Sequence, residues 1–171
     1  MTWISPTPAP VDGPMTGADR PILEGMLAHQ RATLLDVCAG LTAEQLASRP
    51  LASTNLSLLG LVRHLAKVER VWFRKRVAAE DIEHLHNFEA RDDTDFNDID
   101  PADAPHAVEQ LREEWPLADR AAAGFDLDHT IDTAHGPMSL RMVYIHVIQE
   151  YARHNGHADL LREAIDGTTG R

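Results

Sequence analysis

The chain has 171 residues, 43% of them hydrophobic and 25% charged, and carries a formal net charge of −11. This length allows one domain with a substantial core, and the acidic balance excludes a nucleic-acid backbone as a partner, because such binding needs a basic surface. A single cysteine excludes a disulfide framework and suits a reducing compartment, and no apolar run approaches the ~20 residues that would span a bilayer.

The opening stretch "MTWISPTPAPVDGPMTGAD" has neither a basic n-region nor an apolar h-region, so no signal peptide is expected and a cytoplasmic location follows by elimination. Rich in proline and small residues, 1–18 reads as a flexible, extended arm ahead of a domain over 19–168. A first helix is predicted from Asp19 to Ala39, with Ile22, Met26, His29, Thr33 and Val37, beside Leu23, Leu27 and Leu34, at helical spacing and Gly40 as its stop. Cys38 lies in "ATLLDVCAG" with no neighbouring His or Lys to lower its thiol pKa, and reads as core filler. "LTAEQLASRP" predicts a short helical turn, with Thr42 as N-cap and Gln45 completing a capping box.

Ser57 caps a long amphipathic run, "LLGLVRHLAKVERVWFRKRVAAE". Residues 80–103 then carry ten acids against one base, Arg91, which accounts for −9 of the net charge. That segment reads as a solvated loop, with a docking surface as the alternative. Its "DTDFND", from Asp93, opens like an EF-hand loop, but Asp98 and Ala104 stand where that loop needs Gly and Glu. A third helix is expected from about Pro105 to Ala123, kinked or interrupted near Pro116. "GFDLDHTIDTAHGPM" predicts irregular structure or a short hairpin, and Ser139 caps a last helix, "LRMVYIHVIQEYARHNGHADLLREAID", stopped by Gly167. Four long amphipathic helices with almost no strand alternation predict an all-α four-helix bundle, with one short extra helical turn and long irregular loops.

The last helix poses the chemical question. At ~100° per residue with His146 at zero, Leu140, Val143, Val147, Tyr151, Ala158, Leu161 and Ile165 form a stripe between about 60° and 140°. His154 falls inside it and Glu150 at its margin, while His157 and His146 lie farther out. A carboxylate at the border of a core stripe is costly unless something positive meets it. Glu150 and His154, one turn apart, can reach one ion, whereas His146 and His154 are about 12 Å apart along the axis and cannot share a first coordination sphere. Bundle metal sites take further ligands from a facing helix, and His64 sits at the edge of the Leu61, Leu65, Val68 and Trp72 stripe of the second long helix. His64, Glu150 and His154 would supply N, O and N donors, a set that suits zinc or a similar divalent ion and leaves positions open for water or substrate. The alternative is a Glu–His hydrogen bond in a packed interface. Trp72 and Tyr151 fall at core angles and read as packing. No Gly-rich phosphate loop or nucleophile-elbow motif occurs.

"SLLGLVRHLAKVERVWF" and "SLRMVYIHVIQEYARHNGHADLLREAIDG" resemble the actinobacterial branch of the DinB/YfiT-like superfamily, and "RPILEGMLAHQRATLLDVCAGLTAEQL" fits the same pattern. The resemblance implies a four-helix bundle, often a homodimer, with a divalent metal held by one His of the second helix and two residues of the last. Many members have His-x-x-x-His in the last helix. Glu150 departs from that, and is similar to the His, Glu and His set of mycothiol-dependent maleylpyruvate isomerase-type bundles. The ligands so implied are His64, Glu150 and His154, with zinc first and nickel, manganese or iron as substitutes. His157 is a candidate for orienting a ligand or accepting a proton. The implied activity is thiol S-transfer or thiol-assisted isomerisation, with a low-molecular-weight, mycothiol-like thiol and a small electrophile. A metal with an open position can bind such a thiol as thiolate, which suits a chain whose only cysteine lies elsewhere. The other readings are a metal-dependent hydrolase and a non-catalytic dimeric bundle that binds metal or a partner.

Overall fold

A computed structural model describes residues 2–86 and 93–169. Residues 87–92 of the acidic segment, including Glu89, Arg91 and Asp92, lie outside the described residues, so the solvated-loop and docking readings of that stretch do too.

The described chain is predominantly helical. Helix α1 spans Asp19–Cys38, α2 Ala43–Ala47, α3 Leu58–Glu69, α4 Thr94–Asn97, α5 Ala104–Ala123 and α6 Leu140–Asp166. Strands β1 (Thr130–Thr133) and β2 (Gly136–Ser139) form one antiparallel hairpin before α6. The local signals act as the chemistry requires. Thr42 and Gln45 exchange both bonds of a capping box, Ser57 and Ser139 accept from the amides of Gly60 and Met142, and Gly167 closes α6 at φ 79°.

Side-chain contacts give the helix directions. Along α1 and α6, Asp19 meets Arg141, Glu24 meets Tyr144, and the carbonyl of Val37 accepts from Arg162, so these two run parallel. Against α6, His64 lies beside His154, Glu69 beside Tyr151 and Phe73 beside Tyr144, so α3 runs antiparallel to it. Helix α5 runs with α3, since Arg63 shares a cavity wall with His106 while Arg70 reaches Glu114. Because α3 and α5 point the same way, the connection over 78–103 must cross back along the bundle.

The core is one cluster, with Leu34, Leu46, Leu58, Leu65, Leu111, Val147 and Tyr151 fully buried. In α1 the row Leu27, Leu34, Leu35 and Cys38 faces it, joined by Arg31, while Met26 and His29 are exposed. Thus of the two apolar rows read from the sequence, the leucine row is the inward one. Arg31 is buried because it has partners. Its Nε and Nη2 donate to Glu69 at 2.7 and 2.8 Å, and its Nη1 donates to Asp119 at 2.8 Å. The Tyr151 hydroxyl also donates to Glu69 at 3.0 Å and accepts from the Trp115 indole at 3.1 Å.

The structure adds to three of the expectations. Residues 2–18 are non-helical, and near their start Ile4 bridges Thr42, the Ser5 amide donates to Leu41 at 2.9 Å, and Gly40 donates to Ser5 at 3.0 Å, with Trp3 packed against the core. Helix α5 runs unbroken through Pro116, which is exposed, so the carbonyl it leaves unpaired can be met by solvent. The second long run does not stay α-helical: Arg70–Val77 is wound as a π-helix, a form frequent at functional sites.

Glu69→Ala should leave helix content intact but lower the unfolding free energy by about 3–5 kcal/mol, since it strips a buried guanidinium of its bidentate partner. Urea unfolding followed by circular dichroism checks this, and a loss under about 1 kcal/mol would contradict the assigned role.

Candidate metal centre

The α3–α6 interface is where polar chemistry enters the bundle. The antiparallel register sets His64 against the Glu150–His154 turn. Ligand-capable atoms of His64, Glu150 and His154 all lie within 4.8 Å of one another. The Glu150 carboxylate is 3.9 Å from His64 Nε2 and 3.6 Å from His154 Nε2, and the two imidazole rings meet edge-on with centroids 4.7 Å apart. Donors bonded to one tetrahedral zinc at ~2.0–2.2 Å stand roughly 3.3–3.6 Å apart, so the set needs only a slight contraction to hold such an ion. His64 and Glu150 are partly exposed, with side chains at 19% and 16%. One side of the group is therefore open to solvent, as a substrate-accessible site requires.

The atoms behind each ligand candidate fix which nitrogen faces inward. His64 Nδ1 lies 2.7 Å from Asp95 Oδ2, and Asp95 also pairs with Lys67. A carboxylate at Nδ1 keeps a proton there, so Nε2, the nitrogen that faces Glu150, is the one a metal ion would take. His154 Nδ1 is 3.3 Å from His157 Nδ1, and its Nε2 also faces Glu150. Phe96 packs against the His64 ring at 5.0 Å. His146 does not join the group; it stacks on Trp72 at 4.4 Å, one turn towards the N-terminus of α6. Trp72 is partly buried and carries Arg76 over its ring, while Tyr151 is fully buried in the Arg31–Glu69 network.

The electrostatics follow from these neighbours. The His64 imidazole facing it holds the Glu150 carboxyl at about 2 despite partial burial, so it is ionised at neutral pH. Burial, reinforced by His64, pushes His154 down to about 4 and keeps it neutral. Burial opposes protonation of His64 too, but its bond to Asp95 and the facing carboxylate of Glu150 outweigh that and raise its pKa. Asp95 is held well below the carboxylate range, its bonds to His64 and Lys67 overcoming burial. An ionised carboxylate and a neutral imidazole are the protonation states that a divalent ion needs.

A family model described as mycothiol-S-transferase matches residues 22–167. The chain belongs to that family. The match runs from the first turn of α1 to the end of α6, so it spans all four long helices and all three clustered residues. No curated protein matches the chain. The mycothiol-S-transferase family model and the helical bundle agree with the DinB/YfiT-like resemblance of the second and last helices. Among the described residues no helix is long and apolar enough to cross a membrane.

The sequence reading missed Asp95. It lies in the acidic segment, 31 positions from His64, and nothing local separates it from its acidic neighbours. The one pattern that includes it, the start of "DTDFND", fails as an EF-hand loop at Asp98 and Ala104. Cys38, by contrast, is fully buried, and burial pushes its thiol up to about 12, so it is not a nucleophile at neutral pH.

In the metal-free protein, His154 takes up a proton near its ordinary 6.5 when unfolded but only near 4 when folded. The unfolded state therefore binds more protons in that window, and stability falls as pH drops from about 6.5 to about 4. His86, also lowered to about 4, acts in the same direction, while His64, being raised, opposes it. Urea midpoints measured in chelator at pH 7, 5.5 and 4.5 should decline more steeply for wild type than for His154→Asn; equal slopes would refute the account.

Proposed function

We propose that this chain is a metal-dependent thiol S-transferase or thiol-assisted isomerase, using a low-molecular-weight thiol of the mycothiol class and a small electrophile. The observation that carries the reading is the convergence of His64, Glu150 and His154, from two antiparallel helices, on one partly open face in a member of the mycothiol-S-transferase family. In this reading those three side chains hold a divalent ion, with zinc favoured by the N, O, N donor set and nickel, manganese or iron as substitutes. Bound there, the ion would supply Lewis acidity that lets a thiol act as thiolate at neutral pH.

The chain's own residues do the rest. Glu150 contributes a negative charge already free of its proton, and His154 contributes a neutral imidazole. Asp95 orients His64, and His157 orients His154 by accepting from its Nδ1–H. The thiol releases its S–H proton to solvent and its sulfur bonds to an electrophilic carbon. The electron pair of the bond broken at that carbon leaves with a departing group or, for a double bond or strained ring, takes up a proton from solvent. No protein side chain is covalently changed. The domain over 19–168, a homodimeric state and a cytoplasmic location belong to the same proposal, and light scattering in solution tests the dimer.

Elemental analysis of purified protein should find about one divalent ion per chain, and Glu150→Ala or His154→Ala should lose most of it with helix content unchanged. Full metal in either variant would remove that residue from the ligand set. Cys38→Ser should retain thiol-transfer activity within about twofold of wild type, because a buried neutral thiol is not the nucleophile. Loss of activity in a well-folded Cys38→Ser protein would move the nucleophile onto the chain. Activity that does not depend on added thiol would favour hydrolysis instead.

A further inference from the structure

Helix α4 has only four residues, Thr94–Asn97, and so short a helix cannot hold itself in water. It is held from outside by two arginines that take up the carbonyls around its C-terminal end. Arg63, only 8% exposed and one position before His64, donates from Nη1 to the Asp98 carbonyl and from Nη2 to that of Thr94 at 3.3 Å. Arg49 donates to the carbonyls of Phe96 at 2.7 Å and Asn97 at 3.2 Å. Arg63 makes no ion pair with any described carboxylate. Its other contact is the His86 ring at 3.2 Å. Burying a guanidinium is expensive unless its N–H groups are hydrogen-bonded, and here the described carbonyls of Thr94 and Asp98, on either side of Asp95, accept from it. The residue this grip fixes is Asp95, the carboxylate behind His64. The fit leaves little slack, because a Cβ on Gly60 would stand 3.0 Å from the Phe96 ring and 3.4 Å from the Asp95 carbonyl.

We infer that Arg63 is a positioning residue for the His64–Glu150–His154 group: by clamping α4 it places Asp95 on His64 Nδ1 and so sets the imidazole for its ligand. The inference rests on the reading of that group as a metal centre. Among the described residues the contacts of Arg63 are to carbonyls and one imidazole, and the inference gives that buried arginine a task at His64. It also makes docking of α4 and ligand strength one event, since Asp95 bonds His64 from that helix while Phe96 packs on the same ring.

The test uses the full chain and zinc alone, with affinity measured by competition against a chromogenic chelator. Arg63→Met should weaken zinc binding by about 10–100-fold, the usual effect of losing a partner behind a ligand. Asp95→Asn should do likewise, and the double variant should be no weaker than Asp95→Asn, because both act through one bond. Arg63→Lys should recover part of the loss. In the metal-free protein, the hydrogen-bonded Nδ1–H resonance of His64 should be present in wild type and lost in Arg63→Met. Wild-type affinity together with an intact resonance in folded Arg63→Met, or multiplying losses in the double variant, would overturn the inference. If Arg63→Met does not fold, the exposed Arg49→Met carries the same test, with a several-fold loss supporting the clamp and no loss overturning it. A wild-type protein that takes up no zinc would end the metal reading, while the His64 resonance would still decide whether Arg63 holds Asp95 in place.

Discussion

Glu69 has no exposed surface, and much of the interior is arranged around that fact. An isolated carboxylate at such a depth costs several kcal/mol, and attraction offsets that only where geometry and hydrogen bonding are both good. Here Arg31 of α1 grips both oxygens, Tyr151 of α6 donates to one of them, and Trp115 and Asp119 of α5 complete the set. One side chain on α3 thus ties together all four long helices. A slip of α3 along α6 would leave the carboxylate unpaired, so the network penalises every register but one. In that register His64, five positions before Glu69, faces the turn that carries Glu150 and His154. The candidate centre inherits its geometry from the buried ion pair.

Around the three clustered side chains the charge is divided. Glu150 faces the imidazoles and remains ionised, while His154 remains neutral because it is buried. Behind them, Asp95 and Lys67 form a pair of opposite sign that orients His64 without adding net charge. Such an arrangement is preorganised: the donors face a common point before anything binds, and the outer partners keep them there. The π-helical stretch after α3 continues this local specialisation, presenting Trp72 to His146 one turn away from Glu150.

Much of this was legible in the linear chain because the signals are local. Serine and threonine caps, the capping box at Thr42 and the glycine after α6 each act within a few residues, and each appears where the pattern put it. Periodicity on α6 placed Glu150 and His154 on one edge because i and i+4 share a face whatever the helix packs against. The same method could not choose between the two apolar rows of α1, since both have helical spacing and only the partner helix decides which is buried. It expected a kink or an interruption at Pro116, and with solvent on the outer face the helix is not interrupted there. Nor does composition mark the strand-like pairing of Ser5 with Gly40 and Leu41 near the start of the chain.

The sequence by itself determined the helices, their inward stripes on α3 and α6, the two ligand candidates that share a helix, and the inert setting of the lone cysteine. All of these follow from the 3.6-residue period and from nearest-neighbour chemistry. The tertiary structure alone decided that His64 completes the group within 4.8 Å, that Asp95 stands behind it from 31 residues away, and that Arg31 and Glu69 belong together in the core. The reason is physical. Contacts along one helix are fixed by backbone geometry, whereas contacts between elements depend on the register that burial and charge pairing select for the whole chain at once.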